Sequence, residues 1–376
     1  MNVLIVSGIW PPDLGGPASH APELAAFLRA HGHEVVVVTT ASAAPAAEMY
    51  PVRWVSRRLP AGIRHFGGVA AIARGARSSD VVYATSMTRR AALGALIARR
   101  PLVLKLTADE AYERERRSGR FAGDLDAFQH YRGGLRVTLL RRTRDWAVRR
   151  AQHVFTPSAY LRELVVGWGI PAERVSVSPN PAPDVPAMPS REELRAEFGL
   201  DGPTLGFAGR LMAAKALDVA LSAMALVPEA SLVIVGDGPD RAALERQRND
   251  LGLGERVRFL GGLEREGVLR VFRGADAVLL SSRWENFPHV IVEALAVGTP
   301  VIASAVGGVP EVVRDGENGL LVPAGDAEAL AAAIRRLLGD DELRARLASA
   351  AAPSVESYSA ERLLGQIEAE LVKAVR

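Results

Sequence analysis

No cysteine occurs in the 376 residues, which excludes disulfides and thiolate metal sites. Long apolar runs are missing as well. No stretch of about 18 residues could span a membrane as a helix. The opening "MNVLIVSGIWPP" lacks a basic lead, and its apolar run is too short for a signal peptide. The expectation is therefore a cytoplasmic protein. The seven histidines are scattered without ligand spacing, so no metal is expected. No G-x-G-x-x-G follows the first strand of either half, which weakens a dinucleotide-dependent oxidoreductase. Lysine is scarce: among 46 basic residues only Lys105, Lys215 and Lys373 are lysines. In so arginine-rich a chain, a lysine marks a place where arginine does not fit. Lys373, in the C-terminal tail, carries no such weight.

What is present describes a globular protein of two domains. Hydrophobic residues make up 48% and charged residues 24% of the chain, and the length exceeds one ordinary core. The net charge of +3 hides an asymmetry. Residues 1–180 carry 25 basic and 14 acidic residues, net +11, and the remainder is net −8. A basic half suits an acidic partner, either an anionic membrane face or a phosphorylated substrate. It suits a solvated arginine-rich surface equally well.

Short apolar segments alternate with amphipathic ones. Strands are expected at "VLIVS", "EVVVVTT", "DVVYAT", "PLVLKLT", "HVFT" and "RVSVS" in the first half. In the second half they are expected at "TLGFAG", "SLVIVG", "RVRFLG", "DAVLLS", "PVIAS" and "GLLVP". Near-continuous apolar strands separated by helices imply parallel sheets covered on both faces. "SPNPAPDVPAMPS", with five prolines in thirteen residues, can hold neither helix nor central strand. The reading is α/β: two Rossmann-like domains facing a cleft. The first spans residues 1–180, a linker 181–192, and the second 193–355. A helix over 356–376 is expected to pack back towards the first domain.

Four stretches carry chemistry. In "TLGFAGRLMAAKALDVAL" a strand ends at Gly209, and Arg210 and Lys215 follow before a helix. Two cations at a helix start suit a diphosphate, at roughly 1.5–3 kcal/mol per charge-assisted bond. Two solvated loop cations would read the same. In "SSRWENFPHVIVEALAVGTPVIAS", Glu285 precedes a short helix and Glu293 lies about one turn inside it. Carboxylates accept hydrogen bonds from vicinal hydroxyls, and a nucleotide sugar offers these at both ends of a diphosphate. In "SGIWPPDLGGPASH", Gly15 and Gly16 let backbone approach a ligand, and His20 is either a base or a structural contact. In "PLVLKLTADEAYERERR", Lys105 and Asp109 lie at and after a strand end. Asp109 could orient an acceptor hydroxyl or belong to a loop salt-bridge cluster. The basic run from Arg141 to Arg150 reads as a solvated helix face.

Taken together, these stretches resemble the retaining glycosyltransferases of the GT-B fold, specifically glycosyltransferase family 4. The strongest block is residues 205–323, with "GRLMAAK", "VGDGP", "FLGGL", the glutamate stretch and "GGVPEVVRDGENGLLVPAGD" in order. The resemblance implies a nucleotide-diphosphate sugar, UDP- or GDP-linked, held by the second domain. Glu293 would bind the ribose and Glu285 the donor sugar, with Arg210 and Lys215 neutralising the diphosphate. Gly209 and the backbone at Asn286, Phe287, Pro288 and His289 would line the donor, and Gly262 and Leu263 would edge the base. Gly15 and Gly16 would approach the diphosphate. The first domain, through His20, Lys105 and Asp109, would serve a hydroxyl acceptor, and its basic charge favours one that is lipid-linked or phosphorylated, at the inner membrane face. No metal, cofactor or nucleic acid is implied. Two departures stand out: Ala108 replaces a histidine before Asp109, and Ala216 replaces a glycine after Lys215. The first keeps open a sugar-nucleotide-binding protein without transfer, or an epimerase on the same fold.

Overall fold

The computed structural model describes residues 1–13 and 16–376, the side chains of 16–19 excepted. The chain forms two compact units: residues 1–180 with 361–376, and residues 181–360.

The first unit is built on a parallel sheet. Its strands among the described residues are β1 (Asn2–Ser7), β2 (Glu34–Ala41), β3 (Val52–Ser56), β4 (Val81–Ala84), β5 (Leu102–Lys105), β6 (His153–Thr156) and β7 (Val175–Val177). They lie in the order β3-β2-β1-β4-β5-β6-β7. Val3 to Val6 of β1 and all of β4 are buried, because helices cover both faces and leave no strand a solvated side. β3 was not among the expected strands. It is the edge strand, and Arg53 and Trp54 face solvent, so "VRWVS" lacks the continuous apolar run of its neighbours.

The second unit repeats the design. β8 (Thr204–Ala208), β9 (Ser231–Val235), β10 (Val257–Gly261), β11 (Ala277–Leu280), β12 (Val301–Ser304) and β13 (Gly319–Val322) form a parallel sheet. Their order is β10-β9-β8-β11-β12-β13. Alternate residues feed two cores: Leu205, Phe207 and Leu279 on one face, Val278, Leu280 and Ala303 on the other. In both sheets the order reverses beside the first strand, between β1 and β4 and between β8 and β11. Crevices at the carboxyl ends of such strands are where doubly wound sheets take ligands.

Two glycines close the second unit's loops. A Cβ on Gly236 would lie 2.0 Å from the Gly209 carbonyl oxygen, and one on Gly238 would lie 2.2 Å from that of Leu211. The loops after β8 and β9 are thereby laced backbone to backbone. Gly209 donates to Val235 at 3.0 Å and Leu211 to Asp237 at 2.9 Å.

Residues 181–190 hold neither helix nor strand, and Ser190 caps the helix Arg191–Phe198 with Glu193 as reciprocal partner. The helix Ala360–Val375 belongs to the first unit. It buries Leu363, Leu364, Ile367 and Leu371, and its Glu368 meets His31 at 2.8 Å and His33 at 2.7 Å. Among the described residues no helix is long and apolar enough to cross a membrane.

Candidate functional site

The reversal point of the second unit brings together residues far apart in sequence. After β8 the chain makes a glycine turn at Gly209, passes the exposed Arg210, and forms a short 3-10 turn, Ala213–Lys215. After β11 comes the loop 281–288. Lys215 Nζ lies 2.5 Å from Glu285 Oε1, and Ser282 Oγ donates to the same oxygen at 2.7 Å. Both charged groups are mostly enclosed, the side chains keeping 22% and 12% of their exposure. Further bonds fix this geometry. Ser281 Oγ donates to the Lys215 carbonyl at 3.0 Å, and the Arg283 amide donates to Ala214 at 2.9 Å. Arg283 also holds both Asp218 oxygens, at 3.1 and 2.7 Å. Ser282 and Arg283 were not foreseen from sequence, although both lie inside the motif that was.

Asn286 and Phe287 are buried, Phe287 meeting Tyr358 edge-on with ring centroids 5.7 Å apart. Pro288 precedes the helix His289–Ala296, whose first turn holds no acidic residue and whose N-terminus is not capped by the Pro288 side chain. Its amides and macrodipole present positive potential. Glu293 lies in the second turn, 3.2 Å from Arg265 Nε. Burial pushes its carboxyl up from the usual range, and Arg265 opposes the rise. Gly262 and Leu263 follow β10 and are exposed.

The raised carboxyl at Glu293 sets a sign. The folded state binds this proton more tightly than the unfolded chain, so the group favours folding below about pH 4.5. That contribution is lost as pH rises through the folded value, and ionised Glu293 costs stability at neutral pH. Glu293→Gln should raise the melting temperature at pH 7 and give no gain at pH 4. Paired thermal melts check this.

In the first unit the outcome is different. Gly15 lies outside the described residues, and Gly16 begins the helix Gly16–Ala30. His20 is buried, its Nε2 2.8 Å from the Tyr83 hydroxyl, so the structural-contact alternative describes it. Lys105, the last residue of β5, is 2% exposed and donates to the Pro179 carbonyl at 3.3 Å. Burial pushes its amine down to about 7. Asp109 is a correction. It is fully buried, caps the helix Glu110–Arg117 through the Ala111 amide at 2.8 Å, and is ion-paired with the buried Arg144. With both carboxylate oxygens engaged inside the protein, it presents no base to an acceptor. Ala108 and Glu110 line a cavity of about 630 Å³, while Asp109 between them turns inward.

Residues 190–353 match the family model for glycosyl transferases group 1, and residues 15–181 match that for the glycosyl transferase 4-like domain. The chain belongs to the group 1, family 4 glycosyltransferases of the GT-B fold. Among curated relatives, D-inositol 3-phosphate glycosyltransferase of Mycolicibacterium gilvum is 42% identical over 40% of this chain and 36% of its own. Alpha-D-kanosaminyltransferase of Streptomyces kanamyceticus is 35% identical over 49% of this chain and 50% of its own. The matched stretches thus span half or less of these relatives. The crystal structure of Anabaena Alr3699/HepE in complex with UDP-glucose aligns over 99% of this chain and all of that one. Its TM-score is 0.80 at 25% identity.

In the loop after β8, the residue that follows Lys215 sits at a special backbone position. Ala216 has φ of 48° and ψ of 41°, in the left-handed region. Glycine adopts this without penalty, whereas an L-residue loses roughly 1–2 kcal/mol. The departure at Ala216 therefore keeps the turn and carries strain in it. Among the described residues of this chain, no group of three or more His, Cys, Asp or Glu side chains could hold a metal ion.

Proposed function

We propose that this chain transfers a sugar, with retention, from a nucleotide-diphosphate sugar to a hydroxyl acceptor, with fixed cations in place of a metal. The observation that carries this reading is the enclosed Lys215–Glu285 pair at the reversal point of the second sheet. A diphosphate entering there would take Lys215 and Arg210, and the donor sugar's hydroxyls would take Glu285. The helix His289–Ala296 adds its positive end. Glu293 would accept from the ribose, and the exposed Gly262 and Leu263 would edge the base.

In the transfer, the bond from the anomeric carbon to the diphosphate oxygen breaks and a bond to the acceptor oxygen forms on the same face. The acceptor's proton passes to the leaving diphosphate. Lys215 and Arg210 stabilise the charge that grows on that group, where preorganised donors act most strongly. Relatives named for sugar transfer, and a fold neighbour holding UDP-glucose, support the donor class.

Thermal stabilisation by a panel of UDP-, GDP-, ADP- and TDP-sugars tests the donor site, since ligand binding to the native state raises the melting temperature. A shift with one nucleotide that survives EDTA is expected. No shift with any of them would remove the donor reading of Glu285 and Glu293. Conversion of donor without acceptor would identify the epimerase instead.

The acceptor is proposed to be lipid-linked or phosphorylated, met at the cytoplasmic face of the inner membrane. The helix Gly134–Arg149 supports a peripheral contact, because Leu135, Leu139 and Trp146 are exposed beside Arg142 and Arg149. Such a face suits an anionic interface. Anionic liposomes should retain the protein at low salt and release it at high salt; passage of the protein at low salt would refute the contact.

A further inference from the structure

The first unit has its own reversal point, between β1 and β4, and the 630 Å³ cavity opens there. Gly8 after β1, Thr85 and Ser86 after β4, and Leu106 to Ala108 after β5 form its floor. Its rim is cationic. Arg89, Arg90, Arg114 and Arg117 line it against only two carboxylates, Glu110 and Glu113. Those carboxylates are committed: Glu110 to Arg89 at 3.3 Å and Glu113 to Arg117 at 3.2 Å. Arg90 has the Met87 sulfur at 3.4 Å, and its stem lies across Gly68, where a Cβ would meet it at 3.2 Å. Arg114 is exposed. The cluster therefore holds positive charge that the protein does not neutralise.

Three features show that this arrangement is built at a cost. Arg89 and Arg90 occupy the first turn of the helix Thr88–Ala98, where the macrodipole disfavours cations and the turn itself holds no acidic residue. Met87, which precedes that helix, is held at φ of 54°, a strained position for a side-chain-bearing residue. Arg90, half-buried, is pushed down by burial and by neighbouring guanidiniums. The position also demonstrates its taste for anions. Glu110 Oε1 accepts from the Thr88 amide at 3.2 Å, so a carboxylate of the protein already sits at the helix N-terminus.

We propose that this cavity is a phosphate-monoester site, in which Arg90 and Arg114 grip the phosphate of the acceptor while its polyol lies over the floor. A dianionic phosphate matches the forked donors of two arginines. This assignment rests on the transferase reading for the word acceptor, but the anion site itself stands on the cavity.

The test is direct binding, at fixed ionic strength, of inorganic phosphate and of glycerol phosphate against glycerol, read by calorimetry on the full chain. Glycerol phosphate should bind and glycerol should not, and Arg90→Met with Arg114→Met should weaken binding at least tenfold. Arg114→Met alone, at an exposed position, keeps the test open should the double variant fail to fold. Vesicles carrying phosphatidate form a second arm. Retention on them that depends on the same two arginines, without binding of the soluble ester, supports the site with a lipid as the phosphate's source. No binding in either arm, or binding indifferent to both arginines, overturns the proposal. Stabilisation by nucleotide sugars is measured beside it. Its loss with phosphate binding intact would sink the transferase reading and leave the anion site.

Discussion

Lys215→Met should lower turnover about a hundredfold while leaving nucleotide-sugar binding within tenfold, the loss typical of removing one preorganised donor to a developing anion. Lys215 is the only lysine of the second unit's sheet-bearing region, residues 181–360, in a chain with 46 basic residues. Its amine is held 2.5 Å from Glu285 with most of its surface enclosed. In the proposed reaction, charge that grows on a leaving diphosphate would be met by a compact ammonium already in place, so the effect should fall on kcat rather than on KM. Lys215→Arg should not restore the rate, since the wider guanidinium must fit a space fixed by Ser281, Ser282 and the 3-10 turn. Steady-state kinetics with a circular dichroism check of folding decides it, and an unchanged kcat would take Lys215 out of the reaction.

The second large effect is on stability. Arg144→Met or Asp109→Ala should each destabilise the protein by about 3–5 kcal/mol, because each leaves a buried charge without its partner. Arg144 is 6% exposed and Asp109 fully buried. The guanidinium also lies 3.7 Å from the Trp168 ring centroid and 2.9 Å from Asp145. Asp109→Ala additionally removes the cap of the helix Glu110–Arg117. Asp109→Asn, which can still cap, should be less costly than Asp109→Ala. Urea unfolding measures these differences, and the kcat of the folded Asn variant should stay within a few-fold of the parent. A collapse of kcat at unchanged stability would return Asp109 to the acceptor.

The sheets were legible because parallel strands covered on both faces are apolar along their centres, as Val3–Val6 of β1 and all of β4 and β11 are. The edge strand β3 escaped for the same reason in reverse, since half of it faces water. Lys215 and Glu285 were each legible as members of a motif, yet they are 70 residues apart, and only the strand order makes them neighbours. Asp109 was misassigned because its partner, Arg144, lies 35 residues downstream on another helix. Nothing in "KLTADE" announces that pairing. The arginine rim around β4 did leave a signal: "TRRAA" puts two cations directly at a helix start, where the macrodipole resists them.

The placement of the C-terminal helix has a consequence for synthesis. The polypeptide enters the second unit at residue 181 and returns to the first at residue 361, so the second unit is an insertion within the first. As the chain leaves the ribosome, residues 181–360 are complete before Glu368 can reach His31 and His33. The half that is translated first thus receives its last helix only after the other half has been made.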